Sequence, residues 1–372
     1  MADDALFPIG VPAGEGHVVD REDFVESLTQ QLSDRVSVVL SAPRRTGKTS
    51  VALEVLRRLN SAGVHTAAID LAGVLSLEEF ADGLSAECLR NLPLVGRLSR
   101  AIGRSWRELL ARPEIRLRLH DLELAASLRD WEDADPWQKV NLALALPELI
   151  GERTGRRFVV MMDEFQLVRD LGAAALLRRM RSVFQLQQHT AFLFLGSQGS
   201  LMHQLFESAR EPFFRYAVGQ PLPPVPDPAW RKYIRERLAS RNRRIGEDAL
   251  DAMLDATGGH PYDTMEVAYY THLLARERPD PIDRACVLAA VDQTEDLLQA
   301  VFQAEIEALG PKARLVLGRL AHARPVYTAE DRSQSALRAA VRELLQAGVL
   351  VRHGRGRYAF GEPMLARHLR RT

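Results

Sequence analysis

Val36-Ser37-Val38-Val39-Leu40-Ser41-Ala42-Pro43-Arg44-Arg45-Thr46-Gly47-Lys48-Thr49-Ser50 is the stretch on which the fold turns. Val36 to Leu40 is a short apolar run of the kind that makes a buried strand, and Ser50 to Leu59 carries helical pattern. Between them, Ala42 to Thr49 follows the spacing GxxxxGK[ST], with Ala42 in the place of the first glycine. Strand, loop and helix in that order aim backbone N–H groups of the loop and the first helical turn at a phosphate. Gly47 lets the backbone curl without a Cβ clash. Lys48 reaches β- and γ-phosphate oxygens, and Thr49 supplies a hydroxyl to Mg²⁺. Pro43, Arg44, Arg45, Thr46 and Ser50 complete the candidate phosphate-binding set.

Phe158-Val159-Val160-Met161-Met162-Asp163-Glu164 supplies the partner. An apolar strand ending in Asp-Glu is a Walker B pattern: Asp163 holds the metal through hard oxygen, and Glu164 polarises the attacking water. A strand followed by an N-capping Asp looks the same in isolation; the pairing with the phosphate loop decides for ATP or ADP with Mg²⁺. A third run, Ala191 to Leu195, exits through Gly196-Ser197-Gln198. Ser197 or Gln198 either senses the γ-phosphate or caps the strand exit. Thr66 to Ile69 is a fourth run. Continuous apolar runs of this length, separated by helical pattern, predict an α/β fold: a P-loop parallel sheet with helices on both faces.

Gln220-Pro221-Leu222-Pro223-Pro224-Val225-Pro226-Asp227-Pro228 cannot continue a helix or a central strand. A boundary there gives an ATPase domain over 1–226, and Leu309-Gly310-Pro311 marks a second one. Candidate helices at Ala229–Leu238, Ala249–Ala256, Tyr262–Ala275 and Ala285–Ala308 fill a helical lid over 227–308; a winged-helix domain takes 309–372. Pro93 to Pro136 reads as an insertion, with a small hairpin turning near His120-Asp121. Trp106, Trp131 and Trp137 mark a partner surface or simply anchor it.

Composition narrows the options. Lys+Arg and Asp+Glu both number 49, which excludes a chain-wide polybasic binder. Cys88 and Cys286 have no metal-type spacing, and the ten histidines show no HExxH pair. No run approaches a membrane span, and Met1-Ala2-Asp3-Asp4 is unlike a secretory signal, so the expected location is cytoplasmic.

The charge is not evenly spread. Pro311 to Thr372 holds thirteen Lys+Arg against four Asp+Glu, a net +9 that leaves −9 on residues 1–310. That asymmetry fits a nucleic-acid-facing module on an acidic engine. Ser335 to Gln346 is amphipathic, with Leu337, Val341, Leu344 and Leu345 inward and Arg338 and Arg342 outward. Val349 to Val351 and Tyr358 to Phe360 flank Arg352-His353-Gly354-Arg355-Gly356-Arg357, a glycine-hinged basic wing tip. Arg338, Arg342, Arg352, Arg355 and Arg357 are the candidate DNA contacts. Docking of a protein partner is the other use of such a module.

The chain resembles the archaeal-type P-loop ATPases of the STAND class, which are related to AAA+ ATPases of the origin-recognition kind. The resemblance rests on Val18-Val19-Asp20-Arg21-Glu22, Pro43 to Ser50, Asp163-Glu164-Phe165-Gln166, Gly196-Ser197, Pro212-Phe213-Phe214-Arg215 and Gly258-Gly259-His260-Pro261. It implies an ADP/ATP pocket with Mg²⁺, a helical lid and a C-terminal winged helix. It places Arg21 near the adenine side, although Asp20 stands where Gly is usual. It also implies that Arg215 meets a γ-phosphate and that His260 and Pro261 pack over the base. No Arg or Lys follows in Tyr262 to His272, so the sensor arginine of AAA+ lids is missing, which favours a switch over a hexameric motor. The expected activity is Mg²⁺-dependent ATP hydrolysis, of low turnover, relayed to DNA. The alternative is a nucleotide-bound scaffold whose winged helix docks a protein. Oligomerisation stays open.

Overall fold

The computed structural model describes residues 5–14, 16–91, 134–197, 199–276, 278, 280–328, 333–352, 354 and 356–371. The hairpin expected at His120-Asp121 lies outside them, as do Trp106, Trp131, Gln198 and Arg355.

Five parallel strands form one sheet: β1 (Val38–Ser41), β2 (His65–Asp70), β3 (Phe158–Asp163), β4 (Thr190–Gly196) and β5 (Val218–Pro221), ordered β2-β3-β4-β1-β5. Every residue of β3 and β4 is buried. Their alternate side chains go to opposite faces, which is why the run is continuously apolar. Phe158, Val160, Met162, Phe192 and Phe194 enter one core; Val159, Met161, Leu193 and Leu195 enter the other. Helices α1 (Glu22–Ser33) and α2 (Lys48–Ser61) cover the second face through Val25, Leu28, Val51 and Val55. Helices α3 (Leu77–Leu89), α4 (Pro136–Thr154), α5 (Val168–Phe184) and α6 (Gly199–Glu207) cover the first. Strand β5 is missing from the sequence reading. It pairs with β1 at the sheet edge and is mostly exposed, so Gly219 and Pro221 interrupt no inner ladder.

One aromatic cluster fixes the carboxyl end of the sheet. Phe165 follows Glu164 directly and is fully buried, 4.5 Å from the Phe194 ring and 5.4 Å from that of Phe213. Burial of such a ring is worth roughly 1.5–3 kcal/mol, so the turn that carries Glu164 is pinned to the core.

Helices α7 (Asp227–Ala239), α8 (Glu247–Thr257), α9 (Pro261–Ala275) and α10 (Arg284–Ala308) follow the sheet. The C-terminal module is α11 (Pro311–Ala321), α12 (Gln334–Gln346), the antiparallel pair β6 (Leu350–Arg352) and β7 (Tyr358–Phe360), and α13 (Pro363–Arg371). This is a winged-helix arrangement. The sequence reading lacks α13, whose Met364 and Leu365 are buried beside Phe302 of α10. Arg367 and Arg371 bolt it to Glu295, at 2.9 and 2.6 Å. Trp230, Met253, Phe302, Val316, Leu344 and Met364 share one apolar core, which runs unbroken across Gly310-Pro311.

Two carboxyls are buried where α9 meets α13. Asp263 Oδ2 accepts from the Met364 backbone N–H at 3.3 Å. Glu266 Oε2 lacks a hydrogen-bond partner among the described residues. Burial, reinforced by the charges of Asp263 and Glu362 against that of Arg45, pushes the Glu266 carboxyl up to about 7. An acid raised in the folded state stabilises most below its unfolded value and loses that contribution as pH climbs through about 7. Glu266→Gln should therefore remove a stability loss of about 1–3 kcal/mol between pH 5.5 and 8. Thermal melts of both proteins at the two pH values check this: the drop should be smaller in the variant.

Candidate nucleotide-binding site

The carboxyl ends of β1, β3 and β4 lie level, the position where open α/β sheets leave a crevice. The loop leaving β1 turns there into α2. Ala42 N–H donates to the Gly196 carbonyl at 3.3 Å. Ala42 does not take a left-handed φ, so a Cβ is tolerated where the motif usually has glycine. Gly47 has no such latitude: its φ is +87°, and an added Cβ would sit 2.9 Å from Arg21 Nη1. Gly47 also lacks a capping side chain, so the first N–H groups of α2 are left for an anion.

Arg21 braces this loop from beneath. Its guanidinium donates to the Thr46 carbonyl at 2.9 Å and to the Pro223 carbonyl at 3.1 Å. Burial lowers its pKa to about 10. Asp20, just before it, has φ +50°, which explains the glycine usual there.

The acidic pair closes the other side. Thr49 Oγ1 donates to Asp163 Oδ2 at 2.7 Å. Lys48 Nζ lies 3.5 Å from Glu164 Oε1 and 4.0 Å from Asp163 Oδ1. Glu164 itself has φ +49°, a strained backbone held by the Asp163 carboxylate, which accepts its N–H at 2.8 Å. Its Oε2 accepts from Ser197 Oγ at 2.7 Å, from Ser197 N–H at 3.2 Å and from Gln166 Nε2. Burial alone would raise this carboxyl; Lys48 and the donors from Ser197 and Gln166 outweigh it and hold it below the usual range. The Thr49 hydroxyl and the Asp163 carboxylate are hard oxygen donors in contact, which fits an octahedral Mg²⁺ that keeps its waters.

Lys48, Thr49, Glu164 and Gln166 border a cavity of about 520 Å³, which Asp163 does not line. Arg21, Arg44, Arg45, Gly47, Lys48, Thr49, Ser50, Glu164 and Pro261 line it. The other expected residues stand elsewhere. Thr46 spends its hydroxyl on the Pro43 carbonyl, and Pro43 faces a neighbouring cavity. His260 is buried and caps α9, with Nδ1 3.5 Å from the Asp263 N–H, so it shapes the lid rather than lining the cavity. Ser197 touches Glu164, not the open cavity, and so positions the acid. Arg215, with φ +52°, stacks over Phe214 at 5.3 Å in a groove along β1 and β5, away from Lys48. Arg338, Arg342 and Arg352 line a seam between the sheet and the winged helix; Arg357 is exposed and does not line it.

Sequence reasoning missed the apolar wall. Pro8, Val11 and Pro12 reach the cavity from the N-terminal segment, and Ala13 N–H donates to Ser50 Oγ at 2.9 Å. Val225, Trp230 and Met265 complete it. Trp230 Nε1 donates to the Gly259 carbonyl at 2.9 Å, which fixes the lid glycines against α7. Gln166 was also missed, although it lies within the quoted Asp163-Glu164-Phe165-Gln166.

No protein-family model matches the chain, and no curated protein matches it. Solved structures do. The Walker-type ATPase PABY2304 of Pyrococcus abyssi is 16% identical, with a TM-score of 0.71 over 98% of this chain and 99% of that one. The Aeropyrum pernix ORC2 protein, solved in ADPNP–ADP complexes, is 14% identical, with a TM-score of 0.63 over 100% and 97%. The Aeropyrum pernix ORC1 protein in complex with DNA is 15% identical, with a TM-score of 0.51 over 95% and 93%. At such identities the likeness is one of fold: this chain has the architecture of a Walker-type ATPase with a C-terminal winged helix.

Proposed function

We propose that the chain is a Mg²⁺-dependent ATP-binding and ATP-hydrolysing switch of the STAND type, whose nucleotide state is passed to a nucleic-acid-binding winged helix. The observation that carries this reading is the convergence of Lys48, Thr49, Asp163 and Glu164 on the uncapped end of α2, beside an apolar-walled cavity of about 520 Å³. That volume suits a nucleotide. The solved ADPNP–ADP complexes of ORC2 and the DNA complex of ORC1 support nucleotide and nucleic acid as the ligand classes. Residues 1–226 act as the engine, 227–308 as the lid and 309–372 as the reader.

The α2 N–H groups and Lys48 hold the phosphates, while Val11, Pro12 and Trp230 wall the base. Thr49 and Asp163 would hold a Mg²⁺, which would neutralise phosphate charge when bound. Glu164 keeps Oε2 on Ser197 and Gln166. Its Oε1, released as Lys48 turns to the phosphates, takes the proton of the attacking water. Arg215 stands in another groove, and Arg45 is engaged elsewhere, so turnover in the isolated chain is low.

Arg45 provides the relay. It sits in the phosphate loop with φ +61° and pairs with Glu362 at the start of α13, at 2.8 Å. Its guanidinium also lies 5.0 Å from the Tyr262 ring centroid. An incoming polyphosphate competes with Glu362 for this cation and loosens the winged helix.

Lys48→Ala should abolish Mg²⁺-dependent ATP binding in calorimetry. Glu164→Gln should keep binding and lose about 10²-fold or more of phosphate release. Wild-type protein that binds no ATP would sink the reading at its first step. Glu362→Gln should tighten ATP binding by a few-fold, since a half-exposed pair is worth about 1 kcal/mol at most. It should also speed limited proteolysis between α10 and α13; unchanged cleavage with unchanged affinity would remove Arg45 from the relay.

A further inference from the structure

The described arginines expected to touch DNA are open to solvent, but three of them border a seam rather than a free surface. Helix α12 packs against α6 of the ATPase part, and a cavity of about 690 Å³ lies in the seam between them. Arg338, Arg342 and Arg352 enter it from the winged helix; Ala42 and Pro43 of the phosphate loop wall the other side. No Asp or Glu among the described residues lines it. None of the three arginines has an ion pair among the described residues, whereas Arg45, Arg58, Arg169, Arg231, Arg367 and Arg371 all do. Three cations on one cavity, with no ion pair among the described residues, suit an anionic ligand. Two aromatic rings accompany them: Arg352 lies 5.9 Å from the Tyr358 centroid, and Tyr327 lines the same space.

The shape of the seam rules on the ligand. A reading helix docks into a duplex major groove about 12 Å wide, which requires its basic face to be open. Here α6 packs against the same helix and stands across the seam from those arginines, so a duplex could not seat on them without parting the two helices. A nucleotide chain without a partner strand fits, with phosphates on the arginines and bases against the rings. The seam also has a continuation: it shares Ser41, Gly199 and His203 with the groove of about 1160 Å³ along β1 and β5, where Arg215 and the exposed Phe214 repeat the pairing of cation and ring.

We propose that the seam is a binding site for single-stranded nucleotide units, contacted by Arg338, Arg342, Arg352 and Tyr358 and prolonged past Arg215 and Phe214. This rests on the nucleic-acid role proposed above and narrows it to a single strand in the closed arrangement. Because Ala42-Pro43 borders both this seam and the phosphate loop, occupancy of one site is felt at the other.

Fluorescence anisotropy on the full chain tests it, with labelled dT12, the matching dT12·dA12 duplex, and unlabelled dTMP as competitor. The strand should bind more tightly than the duplex. Its affinity should fall with salt at a log–log slope of about −2, as three neutralised phosphates give. Arg338→Glu/Arg342→Glu/Arg352→Glu should weaken it at least 10-fold, and Phe214→Ala several-fold, with calorimetric ATP binding retained as the control for folding. Displacement by dTMP at matched nucleotide concentration would assign the site to free nucleotides; its failure would assign it to a strand. Photocrosslinking of a bromodeoxyuridine-substituted strand to the unaltered protein should map to Tyr358 or Phe214. Tighter duplex binding through the same arginines overturns the inference while leaving a duplex-reading switch intact. Crosslinks confined to other surfaces, or no binding of either nucleic acid by protein that still binds ATP, also overturn it.

Discussion

An ammonium group shut away from water must be neutralised, and the phosphate loop is organised around that need. Lys48 is only 6% exposed, and its counter-charges are Asp163 and Glu164 at the end of the neighbouring strand. Leaving any of the three unpaired would cost several kcal/mol. The surroundings serve this cluster. Thr49 holds one carboxylate, Ser197 and Gln166 hold the other, and Phe165 nails the turn between them into an aromatic core. A polyphosphate is the natural replacement for the carboxylates as partner of Lys48, because it brings more negative charge to the same atom. The cluster is therefore both the ground arrangement and the receptor.

The neighbouring cation in the loop is balanced differently. Arg45 takes its counter-charge from Glu362, more than three hundred residues away in sequence, and that pair is partly open to solvent. Burial would weaken the guanidinium's charge, but Glu362 more than restores it. The two pairs thus differ in scale. Breaking the buried one would cost several kcal/mol; breaking the partly exposed one, worth about 1 kcal/mol, shifts a population only by a few-fold. A small coupling suits a switch that other ligands must also be able to move.

What could be read from the residues follows from how tightly chemistry or burial constrains them. Strands β3 and β4 are legible because burial on both faces leaves only apolar side chains. Edge strand β5 is not, because solvent accepts Val218, Gly219, Gln220 and Pro221 alike. Lys48, Thr49, Asp163 and Glu164 are legible because the phosphate and Mg²⁺ proposed for them would accept few substitutes. The cavity's apolar wall is not: exposed Val11 and Pro12 and buried Trp230 and Met265 are ordinary apolar residues, brought together from three distant segments. Ser197, His260 and Arg215 show a different limit. Their order along the chain places them near the sheet's upper edge, but only the packing says whether each faces the cavity, a neighbour or another groove.

Charge counting meets the same limit. The thirteen basic residues after Pro311 look like a nucleic-acid surface when summed. Two of them, Arg367 and Arg371, are consumed by Glu295 and serve to fasten α13 to α10. In a chain of zero net charge an arginine usually finds an acid nearby, so a paired arginine says little about partners. The informative ones are those around which acids have been left out. Among the described residues Arg338, Arg342 and Arg352 are of that kind, gathered on one cavity with only neutral residues and a histidine opposite. An anion held in that seam would touch both the winged helix and the Ala42-Pro43 end of the phosphate loop.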